Sequence, residues 1–219
     1  MITAGLKYEV PPIDIPKGFN VDNCARIRRE TGMLCIAVGR INTPQLAEEI
    51  LEQNKADMVV MGRAQLADAD FCVKAKEGRL QEIVYCIGCD QGCYDGFTDP
   101  AAPFITCMRN PYLGKEAQDV LVPAQKPKRV LIAGGGVAGL EAACILKQRG
   151  HQPVVYEASD ELGGQFVTAG KAPRKMEMKD AALSYGEKAK RLGILIHLNT
   201  PVDASLITEG SWDEVILAI

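Results

Sequence analysis

Histidine is almost missing from this sequence: His151 and His197 are the only two in 219 residues. That leaves no material for a histidine-based triad or a histidine-rich metal site, and each of the two reads as structural before catalytic. Long apolar runs are missing too, and none approaches the roughly 20 residues that a membrane span needs. Neither sign of charge dominates. The 25 basic and 28 acidic residues are mixed along the chain and leave a net charge of −3, which argues against nucleic acid as the main partner. No repeat or low-complexity tract occurs. No secretory or transit segment precedes the first elements, so a reducing, cytoplasmic setting is the simplest expectation.

Cysteine, by contrast, is well supplied, and half of it is concentrated. Four of the eight cysteines fall at Cys86, Cys89, Cys93 and Cys107, in the pattern C-x2-C-x3-C-x13-C. Three thiols in one tight turn and a fourth returning from a loop suit a single small [4Fe–4S] cluster, whose four thiolates close around one cube. Structural zinc sites usually present two C-x2-C pairs on separate knuckles. Only one such pair exists here, so the spacing favours iron–sulfur, with zinc the open alternative and disulfides a weak third. Cys24, Cys35, Cys72 and Cys144 lie in apolar or helical runs with no evident partner.

The chain before the cysteines reads as alternating strand and helix. Residues 2–5 resemble the tail of a strand, and Pro11, Pro12 and Pro16 force an extended loop after it. A helix over 21–30 stops at Gly32. Residues 33–38 form a continuous apolar run, the pattern of a strand buried on both faces, and it ends at Gly39-Arg40. Thr43 caps the next helix, with Pro44 at its first position. Leu46, Ile50 and Leu51 make its apolar stripe, and Glu48, Glu49 and Glu52 face water. A second short strand over 57–61 ends at Gly62-Arg63, and Asp68 is placed to cap a helix running towards Gly78. Strand, Gly-Arg, helix therefore occurs twice. A glycine at a strand end admits a phosphate to backbone N–H groups, and the arginine adds fixed donors. The last strand–loop units of a (β/α)8 barrel commonly build such a phosphate site.

After the cysteines, residues 110–128 read as a proline-bearing connector. A strand over 129–133 leads into Gly134-Gly135-Gly136-Val137-Ala138-Gly139, then a helix over 140–149 and a strand over 154–156 ending at Glu157. That context turns a weak G-x-G-x-x-G into a dinucleotide fingerprint. Gly134 allows the turn, Gly136 lets the pyrophosphate meet backbone, and Gly139 lets helix and sheet pack closely. Glu157 is placed to accept from both ribose hydroxyls, and its charge repels a 2′-phosphate, so FAD or NAD fits better than NADP. Residues 175–192 form a charged amphipathic helix with a solvated face. A strand follows over 194–198, and residues 215–219 read as another buried strand.

Residues 37–44 and 56–63, Leu66-Ala67-Asp68 and the cysteine run together resemble one family. It is the large NADH:flavin oxidoreductases with an old-yellow-enzyme-type barrel, which include 2,4-dienoyl-CoA reductases, trimethylamine dehydrogenase and bile-acid enoate reductases. The resemblance implies an α/β chain in four parts. Residues 1–80 are the C-terminal part of an FMN-binding (β/α)8 barrel, and 81–116 are the [4Fe–4S] segment. Residues 117–128 are a linker, and 129–219 are the first part of a Rossmann-like FAD-binding domain. It implies that Gly39, Arg40, Gly62 and Arg63 hold the FMN phosphate, and that Cys86, Cys89, Cys93 and Cys107 ligate the cluster. Glu161-Leu162-Gly163-Gly164-Gln165 resembles a second FAD-contacting segment, so Gly134, Gly136, Gly139, Glu157, Gly164, Gln165 and Val202 are expected against FAD. The implied activity is a relay from NAD(P)H through FAD and the cluster to FMN, and then to an activated C=C bond, often of an enoyl-CoA. The small-molecule substrate, NADH or NADPH preference and homo-oligomeric state are left open. The family's catalytic acid is expected upstream of Met1. No residue here is assigned that role, and Tyr8 reads as a surface aromatic. The polypeptide is thus expected to be a fragment of a longer enzyme. Two alternatives stand beside this reading: an amine or demethylating dehydrogenase of the same architecture, and a non-catalytic electron-transfer or zinc-stabilised module.

Overall fold

The computed structural model describes residues 9–118 and 121–219, so the expectations for residues 2–5 and Tyr8 lie outside the described residues. The chain divides into two compact units, Met1–Gln118 and Asp119–Ile219.

In the first unit, α1 (Val21–Thr31) ends where Gly32 turns left-handed and donates its N–H to the Arg28 carbonyl at 2.9 Å. Then come β1 (Ile36–Ala37), α2 (Pro44–Glu52), β2 (Met58–Val59), α3 (Gly62–Ala67) and α4 (Phe71–Lys76), a 3-10 turn over Leu80–Glu82, and α5 (Tyr94–Thr98). As expected, the Thr43 hydroxyl caps α2 by accepting from the Leu46 N–H, with Pro44 in the first turn. Val21, Ala37, Ile41, Ile50 and Ala56 form the core between α1, β1 and α2.

Two expectations need correction here. Among the described residues β1 and β2 pair in parallel only with each other, and the apolar run around β1 is not buried on both faces. Leu34 is 86% exposed and Ile36 53%, with no further strand among the described residues beside β1. Asp68 sits two residues ahead of the N-cap of α4, Asp70, which makes no side-chain cap bond; Asp68 Oδ1 accepts the Asp70 N–H at 3.0 Å. Asp68 is also buried, and its two carboxylate oxygens accept from the Lys74 ammonium, with the Val84 N–H donating to one of them at 2.8 Å.

The second unit is a four-stranded parallel sheet in the order β5-β4-β3-β6. Its elements are β3 (Arg129–Ala133), α6 (Val137–Gln148), β4 (Gln152–Tyr156), α7 (Gln165–Ala169), α8 (Met176–Arg191), β5 (Leu195–His197), α9 (Ala204–Glu209) and β6 (Glu214–Leu217). The register runs from Arg129 opposite Gln152 to Ala133 opposite Tyr156, which brings the ends of β3 and β4 level where both lead into loops. Val130, Ile132, Leu140, Ala143, Cys144, Val155, Leu162, Tyr185, Ala189 and Ile194 make its core. The charged helix α8 is therefore more than a solvated face: Ala181, Ala182, Tyr185, Gly186 and Ala189 form a buried stripe of mostly small residues. Among the described residues β6 is an edge strand and not a buried one, with Leu217 67% exposed. Among the described residues no helix is long and apolar enough to cross a membrane.

Candidate functional site

Three cavities gather the residues singled out in the sequence. Two share the first unit, and the third lies in the second.

The first cavity, about 230 Å³, is lined by both strand-end pairs, Gly39-Arg40 and Gly62-Arg63, with Asn42 and Cys86 among its other walls. The parallel pairing of β1 and β2 brings the two pairs together, since equivalent strand ends fall side by side in a parallel sheet. Both guanidinium groups are held by protein acceptors. Arg40 is buried and donates to the carbonyls of Ile13, at 2.9 Å, and Ile15. Arg63 donates one Nη to the Asp90 carboxylate and the other to the Pro11 carbonyl at 2.9 Å. The proline-rich loop thus serves as the rack on which both arginines are hung.

Cys86, Cys89, Cys93 and Cys107 line a second, smaller space with Arg63, Asp90 and Arg109. The turn is tight because Gly88, Asp90 and Gly92 all adopt positive φ, at 63°, 62° and 83°. Cys107 is brought in from its loop by the bond from the Thr106 N–H to the Gly92 carbonyl, 2.9 Å. A Cβ on Gly92 would lie 2.4 Å from the Thr106 hydroxyl and 3.0 Å from its backbone, so only glycine allows this approach. Asn110 ties the far side down by donating to the Leu66 carbonyl at 2.9 Å. The Gly88 N–H donates to the Cys86 sulfur at 3.4 Å, while the Tyr94 N–H donates to the Asp90 carbonyl at 3.1 Å. Burial raises the Cys86, Cys89 and Cys93 thiols, Cys89 to about 11, helped there by the neighbouring cysteines. Every cysteine is a free thiol.

The donor set is four thiols and no imidazole, which suits an iron–sulfur cluster in kind. The four cysteines share one small cavity with Arg63, Asp90 and Arg109, so the donors a cluster needs are gathered in one place. Among the described residues no group of three or more His, Cys, Asp or Glu is arranged to hold a metal ion.

The third cavity, about 580 Å³, opens over the ends of β3 and β4 and is lined by Gly134, Gly136, Glu157, Gly164, Gln165 and Val202. Gly139 stands behind it. A Cβ there would come within 2.0 Å of the Gly134 carbonyl oxygen, whereas one on Gly136 would meet nothing within 4 Å. The two glycines therefore have different reasons: Gly139 seats α6 on β3, and Gly136 leaves its side of the cavity bare. The second glycine segment docks directly on the first through the Gly163 N–H and the Gly135 carbonyl, 2.9 Å. The Glu157 carboxylate accepts from the Gly135 N–H at 2.7 Å, the Ser159 N–H at 2.8 Å and the Ser159 hydroxyl at 2.7 Å. Burial pushes this carboxyl up, but those donors outweigh it, and it titrates below the ordinary glutamate range. Three of its roughly four acceptor positions are thus taken. His197 stacks on Tyr156 with centroids 4.7 Å apart, and His151 Nδ1 accepts from the Lys128 N–H at 3.1 Å.

Asn42, Asp90 and Arg109 were not singled out from the sequence. Asn42 donates to the Cys86 carbonyl at 2.6 Å, Arg109 donates to that of Tyr85 at 3.4 Å, and Asp90 pairs with Arg63. The available signal was position alone: a carboxylate between two clustered cysteines, and an amide two residues after a strand-end arginine.

Comparison with known proteins gives two family matches. Residues 15–82 match the NADH:flavin oxidoreductase / NADH oxidase family, and residues 132–186 match an NAD(P)-binding Rossmann-like domain. The chain is 34% identical over 216 residues to a metal reductase of Desulforamulus reducens, covering 96% of this chain and 32% of that protein. It is 35% identical over 193 residues to a bilirubin reductase of Mediterraneibacter gnavus, covering 88% and 30%. The solved structure of a 2-naphthoyl-CoA reductase in complex with 2-naphthoyl-CoA superposes with a TM-score of 0.88 at 29% identity, covering 94% of this chain and 32% of that one. The chain thus spans about a third of the length of these relatives. A flavin-oxidoreductase segment followed by a Rossmann-like segment is the order found here: residues 15–82 are similar to the NADH:flavin oxidoreductase / NADH oxidase family and residues 132–186 to NAD(P)-binding Rossmann-like domains.

Proposed function

We propose that this chain forms the electron-carrying middle of an NAD(P)H-dependent flavin and iron–sulfur reductase acting on a conjugated C=C bond. The observation that carries the reading is a shared wall: Cys86 and Arg63 line both the cavity of the paired Gly-Arg loops and the space between the four cysteines. Two redox groups bound there would be neighbours across a single side chain.

When bound, FMN, FAD and a [4Fe–4S] cluster supply hydride and one-electron chemistry that no side chain here can perform. The residues do the holding and the tuning. Gly39, Arg40, Gly62 and Arg63 make a cationic rim for the FMN phosphate. Cys86, Cys89, Cys93 and Cys107 are the cluster ligands, and the Gly88 N–H on the Cys86 sulfur helps tune its potential. Gly134 and the bare Gly136 admit a pyrophosphate to the N-terminal end of α6, a 12-residue helix. Gly164, Gln165 and Val202 close the FAD cavity, with Gly139 behind it. Glu157 keeps one acceptor position for a ribose hydroxyl, and its charge disfavours a 2′-phosphate. The bilirubin and 2-naphthoyl-CoA reductases support a conjugated, small-molecule substrate.

The test is a cofactor count on the anaerobically purified protein, followed by NADH-driven reduction of an aryl enoate or enoyl-CoA. One FMN, one FAD and four irons per chain are expected. Zinc in place of iron, or no flavin, refutes the relay. Electron flow only from a secondary amine to an acceptor dye refutes the C=C assignment.

A further inference from the structure

Between Cys89 and Cys93 the chain places a carboxylate whose partner belongs to the other cavity. Asp90 sits at φ 62°, a backbone region that non-glycine residues enter at a cost, and one that Asp and Asn tolerate best. Its side chain is 15% exposed and that of Arg63 is 19% exposed. The pair is therefore sheltered from the water and salt that make surface ion pairs nearly worthless. Arg40 and Asp95 are the other charges close to Asp90. Arg63 is fixed at both Nη atoms, by Asp90 and by the Pro11 carbonyl, so its plane is set and its remaining donors have one orientation.

Two further ties run between the same loops. The Asn42 amide donates to the Cys86 carbonyl at 2.6 Å, and the Arg40 guanidinium packs against Gly88, where a Cβ would come 3.0 Å from Arg40 Nε. Both reach the cysteine turn at its backbone. The Asp90–Arg63 pair joins the two loops side chain to side chain.

We propose that Asp90 is a positioning residue that locks Arg63 to the cysteine turn, so that binding in the flavin cavity and binding between the cysteines stabilise each other. This rests on the function proposed above. Its physical basis is linkage: whichever group binds first orders the shared wall, and the second no longer has to.

The test compares FMN dissociation constants for the iron-loaded protein and for the same protein after chelation of its iron. For the wild type the ratio is expected to be about tenfold in favour of the loaded form. Asp90→Ala should bring it to within about twofold, and Asp90→Glu should restore most of it. Adding Arg63→Ala to Asp90→Ala should change the ratio no further, because the pair acts as one unit. Should Asp90→Ala fail to fold, Asp90→Asn keeps the shape, removes the charge and is expected to fall between. A wild-type ratio retained in Asp90→Ala or Asp90→Asn overturns the proposal. A wild type that carries FMN and four irons but shows a ratio of one also overturns it, and leaves the relay standing. A wild type without iron or FMN ends both.

Discussion

Gly136 and Gly139 lie three residues apart in one motif, yet the structure gives them opposite sensitivities to the same substitution. A Cβ on Gly139 would stand 2.0 Å from the Gly134 oxygen and 3.2 Å from Ile132 Cγ2. Relieving that contact requires α6 to retreat from β3 by about 1 Å, an overpacking cost of ~3 kcal/mol. Replacing a helical glycine by alanine returns ~1 kcal/mol of helix propensity. The net loss for Gly139→Ala is ~2 kcal/mol, or a fall in Tm of roughly 8–16 °C for a unit of this size. Gly136 has φ −71° and open space where a Cβ would go. There the weaker N-cap and the stiffer unfolded chain offset each other, and Gly136→Ala should leave Tm within about 4 °C. Its effect should fall on the ligand. A methyl group between a pyrophosphate and the backbone should weaken dinucleotide binding about tenfold or more, equivalent to ~1.4 kcal/mol. Thermal melts followed by circular dichroism, paired with FAD titration by flavin fluorescence, separate the two effects. Equal Tm losses in the two variants, or unchanged FAD affinity in Gly136→Ala, would refute the division of labour argued here.

Three other predictions follow from the first unit. Gly92→Ala places a Cβ 2.4 Å from Thr106 Oγ1 at φ 83°, which pushes the Cys107 loop away, so iron per chain should fall well below four by colorimetric assay while FMN content falls less. Asp68→Ala strands the Lys74 ammonium and the Val84 N–H inside the fold, and chemical denaturation should show a loss of about 3 kcal/mol. The Arg28 guanidinium and the Cys35 N–H hold the Asp57 carboxyl at about 2, against an ordinary 3.8. Because the folded value is the lower one, this pair stabilises above about pH 4 and its contribution is lost as pH falls towards 2. The stability gap between wild type and Asp57→Asn should be constant above about pH 4 and close at about pH 2 in an acid titration, and a gap that persists at pH 2 would contradict that sign.

The sequence by itself was enough for everything that depends on local chain chemistry. The caps of α1 and α2, the βαβ run through the glycine fingerprint and the Glu157 position follow from spacing and residue type, because turns and helix ends answer to their own few residues. The glycines and cysteines proposed as site residues could be named for the same reason. Burial and partnership could not. An apolar run looks the same whether one neighbour covers it or two, so the exposure of Leu34 and Ile36 and the edge position of β6 needed the sheet order. A carboxylate near a helix start looks like a cap, and only the packing of Lys74 and Val84 on Asp68 gave it a further task. The join between Arg63 and Asp90 spans 27 residues. No local pattern encodes such a pair; it exists because the parallel pairing of β1 with β2 sets a strand-end arginine beside a turn that three positive-φ residues have tightened.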